Sequence, residues 1–257
     1  MERLEEVFRR NRQEGRHTLI GYLTAGDPAA PDTVELALAM EEAGVDVLEL
    51  GVPFSDPLAD GPVLMAAAAR ALEAGTTPEK VLAMAALIRK RSRMPLVLLM
   101  YYNSILHYGA ERFAGAAREA GIDALVVPDL PLEEQQELKE ALEVSHMALI
   151  PLVSMDSGDR LPRILRNARG FVYCVSAGGV TGIREEFSRE SRAYLERVRS
   201  LTDLPLAVGF GISRRQDVEF FSSHCDGVIV GTAIMKEATR PGGGQMAVTD
   251  YIRRELR

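Results

Sequence analysis

The sequence predicts an α/β fold: a single (β/α)8 TIM barrel over residues 1–257, with an extra N-terminal helix and long loops after the second and sixth strands. Three observations lead there. Short apolar runs recur along the chain, segments of helical periodicity separate them, and no Pro/Gly/Ser-rich linker divides the 257 residues. A chain of this length suits one such domain, and a hydrophobic fraction of 47% supplies its core.

The charged opening stretch, MERLEEVFRRNRQEG, does not read as a signal peptide and takes the place of the extra helix. Strands are expected at TLIGYL (18–23), VDVLEL (45–50), PLVLLMYY (95–102), ALVVP (124–128), MALIPLV (147–153), FVYCVS (171–176), PLAVGF (205–210) and DGVIVG (226–231). They are apolar throughout rather than alternating, as parallel strands covered on both faces are. Between them lie PDTVELALAMEEAG, PEKVLAMAALIRKR, GAERFAGAAREAG, PLEEQQELKEALEV, DRLPRILRNARG, SRAYLERVRS and RRQDVEFFSSH, with a last helix within AVTDYIRREL. Pro31 opens one helix, and Gly44 and Gly121 close two others. Eight such units favour a closed barrel over the alternative, a doubly wound open sheet.

Charge and composition narrow the function. A net charge of −7 argues against a nucleic-acid surface or a polybasic membrane patch, and no apolar run is long enough to span a bilayer. Cys174 and Cys225, both placed at strands, make neither a disulfide framework nor a zinc site; they suit buried reduced thiols in a cytoplasmic protein. No metal is expected, because His17, His107, His146 and His224 show no ligand spacing.

In barrels of this kind the chemistry sits where strands end, so the polar residues there are the candidates. Lys80, Lys90, Lys139 and Lys236 all fall on helices or just beyond a βα turn, which leaves a Schiff-base mechanism without an obvious amine. Glu49 stands inside the apolar second strand with no local arginine. Burial there would raise its pKa and make it a proton donor and acceptor near neutrality; a structural ion pair is the alternative. Asp60, before Gly61-Pro62 and an Ala-rich helix, is either functional or a helix cap, and Asp56 in Ser55-Asp56-Pro57 reads as a turn former. Asp27 and Asp129 beside prolines read the same way. Gly182, Gly211 and Gly231 end the sixth, seventh and eighth strand regions, and Thr232 follows at a possible helix start. They make tight turns or, together, a backbone phosphate cradle.

ELGVPFSDPLADGP resembles the signature of the tryptophan synthase alpha subunit family. The likeness continues through YLTAGDP, MYYNSILHYG, GIDALVVPDLP, GGVTG, VGFGIS and DGVIVGTAI, in the family's order over essentially the whole chain. The resemblance implies cleavage of indole-3-glycerol phosphate to indole and glyceraldehyde 3-phosphate, with Glu49 and Asp60 as the catalytic pair. It implies phosphate binding at Gly182, Gly211, Gly231 and Thr232, with Tyr173 and Thr181 near the substrate. Indole-pocket positions fall on Tyr22, Leu64, Leu99, Tyr101 and Phe210. Thr181 is expected to bond Asp60 when the sixth-strand loop closes. Leu64-Met65, Thr232 and Ala177 depart from the residues usual in the family.

The same resemblance implies a beta-subunit partner in an α2β2 complex that holds pyridoxal phosphate, this chain carrying no cofactor. Docking is expected around Asp56, Pro57, Asn103 and Pro131. Rival readings are a stand-alone indole-glycerol-phosphate lyase, a non-catalytic activating subunit, and a phosphate-sugar isomerase on the same barrel.

Overall fold

A computed structural model of the chain describes residues 1–175, 184–209 and 211–257. Its strands are β1 (Thr18–Thr24), β2 (Val47–Gly51), β3 (Leu96–Leu99), β4 (Ala124–Val126), β5a (Ala148–Leu149), β5b (Leu152–Ser154), β6 (Val172–Val175), β7 (Leu206–Gly209) and β8 (Gly227–Val230). All hydrogen-bonded pairs among them are parallel, in the order β5a-β4-β3-β2-β1-β8-β7-β6-β5b.

The expected fifth strand is divided in two, and the division closes the barrel. Pro151 has no N–H to give to a ladder. Just before it, the Ile150 N–H donates to the Leu125 carbonyl at 2.8 Å; just after, the Pro151 carbonyl accepts the Tyr173 N–H at 2.9 Å. One stave thus bonds β4 with its first half and β6 with its second, joining the two ends of the sheet.

Helices cover the outside: α1 (Glu2–Gln13), α2 (Ala30–Glu42), α3 (Pro62–Glu73), α4 (Pro78–Arg91), α5 (Tyr102–Tyr108), α6 (Ala110–Glu119), α7 (Gln136–Val144), α8 (Leu161–Leu165), α9 (Arg184–Arg199), α10 (Arg215–Ser222), α11 (Thr232–Thr239) and α12 (Gln245–Tyr251). Pro31 lies in the first turn of α2, and Gly44 and Gly121 follow α2 and α6 at φ +111° and +85°, a conformation that favours glycine. The third strand stops at Leu99, short of the expected Tyr102, because Tyr101 caps α5 and Tyr102 opens it. The segment 159–170 keeps only the five residues of α8 as α-helix, while α9 begins seven residues ahead of its expected start at Ser191. The long connection after β2 owes its length to an extended loop, Val52 to Gly61, followed by α3. Cys174 is buried in β6, whereas Cys225 is half-buried and stands just before β8 rather than in it.

The extra helix α1 packs across the strand starts. Leu4, Val7 and Phe8 are buried, and the Phe8 ring meets Phe171 with centroids 5.4 Å apart. Three aspartates that directly precede or lie near strand starts hold this end together. Asp46, Asp123 and Asp226 accept the backbone N–H groups of Leu19 (2.9 Å), Leu96 (3.0 Å) and Leu206 (2.8 Å), the first or second residues of neighbouring staves. Each also faces arginine: Asp123 pairs with Arg3 at 3.1 Å and Arg89 at 3.2 Å, Asp226 with Arg12 at 3.0 Å and Arg199, and Asp46 with Arg257, Arg16 and Arg10. The carboxylates are almost enclosed, so each needs both the amide and the cation.

Removing one should be costly while sparing the distant strand ends. Asp123→Ala is expected to lose about 3–5 kcal/mol in chemical denaturation, as when a buried ion pair is broken. Glu35→Ala, which removes the exposed pair with Arg91, should leave the denaturation midpoint nearly unchanged.

Candidate active site

Glu49 lies in β2 directly beside Tyr22 of β1 and Val97 of β3. The strand needs no polar residue there for pairing, since its backbone already bonds both neighbours. Glu49 is only 2% exposed, and among the described residues its Oε1 has no hydrogen-bond partner and no cation pairs with it. Burial, and secondarily the charge of Asp60, pushes its carboxyl up to about 8.

Two tyrosines wall the same space. Tyr22 is buried with its hydroxyl 3.3 Å from Thr24 Oγ1, and Tyr173 of β6 is buried across the barrel. Burial raises both phenols well above the ordinary tyrosine range; the charges of Glu49 and Asp60 raise them further. The glycines at the strand ends make room for these rings. A Cβ on Gly51 would stand 2.0 Å from the Tyr22 hydroxyl, and one on Gly209 would stand 2.7 Å from Tyr173 Cε1. Gly231 is less tight, 3.2 Å from Tyr22 Cβ, so it also lies against Tyr22. Gly211 differs: its φ is +79° and the space where a side chain would go is open. Thr232 is exposed at the start of α11, immediately after the N-cap Gly231.

Asp60 reaches the site from the loop after β2. Its N–H donates to the Pro57 carbonyl at 3.0 Å, and the side chain is half-buried. It is not a helix cap, since α3 has Gly61 at its N-cap and no side-chain cap bond. Burial alone pushes its carboxyl up to about 6. The loop is pinned by Tyr101, whose hydroxyl accepts the Ala59 N–H at 3.0 Å and whose ring stacks on Phe54 with centroids 5.1 Å apart. Burial pushes the Tyr101 phenol up to about 12, Asp60 and Asp129 adding to it. Leu99 ends β3 beside Gly51, and Leu64 is half-buried in the first turn of α3.

The remaining candidates lie at the rim or elsewhere. Asp56 is exposed and accepts the Ser55 hydroxyl at 2.6 Å, as a turn former does. Asn103 and Pro131 are exposed, but Pro57 is buried, and its neighbour Leu58 stands 91% exposed instead. Asp129 accepts the Tyr102 N–H at 2.8 Å and so starts α5. Asp27 is more than a turn former: it is buried against Arg70. Thr181, Gly182 and Phe210 lie outside the described residues. The four lysines all stand on outer helices, α4, α7 and α11. Sequence reasoning missed Gly51, Phe54, Arg70 and Leu58. Only Leu58, an apolar residue within a polar turn, carried a visible signal.

The arrangement offers two carboxyls with separated proton affinities in an aromatic-walled chamber, which suits proton transfer to and from an apolar ring. Comparison with known proteins points the same way. The family model described as tryptophan synthase alpha chain matches residues 8–253. The tryptophan synthase alpha chain of Alkaliphilus metalliredigens is 46% identical over 219 residues, covering 85% of this chain and 82% of that one. The alpha chain of Clostridium beijerinckii is 42% identical and covers 98% of this chain and 97% of its own length. Among solved structures, tryptophan synthase subunit alpha of Legionella pneumophila superposes with a TM-score of 0.89 at 33% identity, covering 98% of this chain and 95% of that one. A structure of tryptophan synthase from M. tuberculosis in an aminoacrylate-bound form gives a TM-score of 0.89 at 33% identity, over 98% and 96% of the two chains. Fold, chamber and relatives agree: the chain belongs to the tryptophan synthase alpha chain family, whose reaction is the cleavage of indole-3-glycerol phosphate.

Proposed function

We propose that Glu49 and Asp60 carry out this cleavage as a proton shuttle and an indole-nitrogen partner. The observation behind this reading is the unpartnered, buried Glu49 carboxyl beside a second, more acidic carboxyl. Protonated Glu49 gives its proton to indole C3, which turns the ring into an indolenine and leaves positive charge at the ring nitrogen. Ionised Asp60 accepts a hydrogen bond from the ring N–H and stabilises that charge. Glu49, now a carboxylate, takes the proton of the glycerol hydroxyl; the carbon–carbon bond breaks, its electrons restore the aromatic ring, and the hydroxyl carbon becomes the aldehyde. The proton given and the proton taken balance, so Glu49 finishes as it began.

Tyr22, Leu64, Leu99, Tyr101 and Phe210 form the indole pocket in this reading, with Tyr173 and Thr181 against the glycerol chain. The phosphate sits at Gly182, Gly211, Gly231 and Thr232. Open space at Gly211 and the start of α11 at Thr232 support that placement.

The partner is a beta subunit, assembled as α2β2 in the cytoplasm and carrying pyridoxal phosphate, to which indole passes without release. Docking falls on the rim formed by Asp56, Asn103 and Pro131, with Leu58 in place of the buried Pro57. Exposed Leu58, Met65 and Leu106 on the loops and helices that follow β2 and β3 support it.

Glu49→Gln should lower indole release by roughly 10²–10⁴-fold, because it keeps shape and removes proton transfer; cleavage at the parent rate would refute the assignment. The wild-type pH profile of kcat/KM should rise through about 6 as Asp60 ionises and fall through about 8 as Glu49 loses its proton. Stability gives an independent readout. Glu49 holds its proton more tightly folded than at its ordinary 4.5, so its contribution is complete below about 4.5 and is lost as pH rises through about 8. Glu49→Gln should therefore stabilise the fold increasingly across that window, by up to about 1.4 kcal/mol per pH unit, in urea melts.

A further inference from the structure

We infer that Asp27 and Arg70 are positioning residues for Asp60: their pair, an enclosed carboxylate gripped by a partly exposed guanidinium, ties α3, the helix that follows Asp60, to the end of β1. This inference rests on the proposed role of Asp60 and deepens it.

Asp27 follows β1 in the stretch Thr24-Ala-Gly-Asp-Pro, and its side chain is fully enclosed. Arg70 Nε and Nη2 donate to its two carboxylate oxygens at 2.8 and 2.7 Å, a bidentate grip that sets direction as well as distance. The pair raises the affinity of Arg70 for its proton, chiefly through that hydrogen bond. Gly26 presses on the segment just beyond the same helix. Its φ is +87°, its N–H donates to Thr33 Oγ1 at 2.9 Å, and a Cβ there would stand 2.1 Å from Thr76 Oγ1. The β1 loop thus holds α3 along its second half and just past its end.

The beginning of α3 is held by no side-chain hydrogen bond or ion pair among the described residues, only by the partial burial of Val63 and Leu64 against the core. Its N-cap is Gly61, and no side chain caps the first turn. Asp60 is the residue immediately before that cap. It stands between two fixed points: Ala59, bonded to the Tyr101 hydroxyl, and α3, docked through Arg70. A helix is stiff over this length, so slack at Arg70 would swing its first turn and Asp60 with it. The chain encloses a carboxylate at a cost in solvation, and the elements it joins flank the catalytic loop. The groups that sense Asp60 are Glu49, Tyr22, Tyr101 and Tyr173, so a displaced Asp60 would change the chamber's protonation behaviour.

The test is the pH profile of indole release by Arg70→Lys, in which a lysine holds the charge without the two-point grip. The expected result is a kcat/KM lower by roughly 10²-fold, carried by kcat rather than KM, as for a catalytic group moved by about 1 Å. Its acid limb should move from about 6 toward the ordinary aspartate value of 3.8. A lowered melting temperature with the rate and acid limb unchanged would overturn the inference and leave the pair merely structural. Should Arg70→Lys not fold, Asp27→Leu combined with Arg70→Met removes both charges together, so that no enclosed carboxylate is left unpaired, a change that proteins often tolerate. That double variant is read in the same way: a slow enzyme with a shifted acid limb supports positioning, and parent kinetics overturn it. Asp60→Asn separates the two claims. If it cleaves at the parent rate, the role of Asp60 itself fails. If it is inactive while the Arg70 variants keep the parent rate and limb, only the positioning inference fails.

Discussion

A carboxyl enclosed among apolar strands and tyrosine rings, with no cation paired to it among the described residues, is the constraint around which this barrel is arranged. Glu49 cannot ionise at neutral pH without losing solvation that nothing in the chamber replaces. A proton therefore stays on it at neutral pH, as the proposed shuttle role requires. The neighbours are chosen to keep that condition: Tyr22 and Tyr173 add neutral bulk, and Gly51, Gly209 and Gly231 give those rings room. Asp60 is less buried and holds its proton less tightly, so two acids close enough to sense one another differ in charge over the same pH range.

The two ends of the barrel divide stability from chemistry. At the strand starts, Asp46, Asp123 and Asp226 repeat one device: a carboxylate that accepts a neighbouring strand's N–H and faces arginine. Each of these three carboxylates is answered. At the strand ends Glu49 is left unanswered, and the cost of that is carried by the rest of the fold. Asp27 with Arg70 is an answered pair at the same end, joining β1 to the helix that follows Asp60.

Much of this was legible in the residues. Uniformly apolar runs spaced by helical segments announced a covered parallel sheet, and Glu49 stood out because an acid inside such a run has no cheap explanation. The split of the fifth stave was written in Pro151, but its meaning, a hand-over from β4 to β6, is a relation among three distant segments. The early stop of the third strand was hidden because Met100, Tyr101 and Tyr102 are as suitable for a strand as for a helix start. Arg70 and Asp27 were opaque for a similar reason: they stand apart in sequence, and a turn aspartate beside proline looks the same whether or not an arginine reaches it. Gly51 carried no signal in the sequence, because what requires it is the Tyr22 hydroxyl of a neighbouring strand.

The central claim is that Glu49 is protonated in the resting enzyme at neutral pH. It is tested most directly by following its side-chain carboxyl through a pH titration, using carbon-13 NMR of protein labelled at glutamate and assigned by the Glu49→Gln variant. The account predicts one glutamate resonance, absent from the variant, with a midpoint near 8. A midpoint near the ordinary 4.5 for that resonance would contradict it.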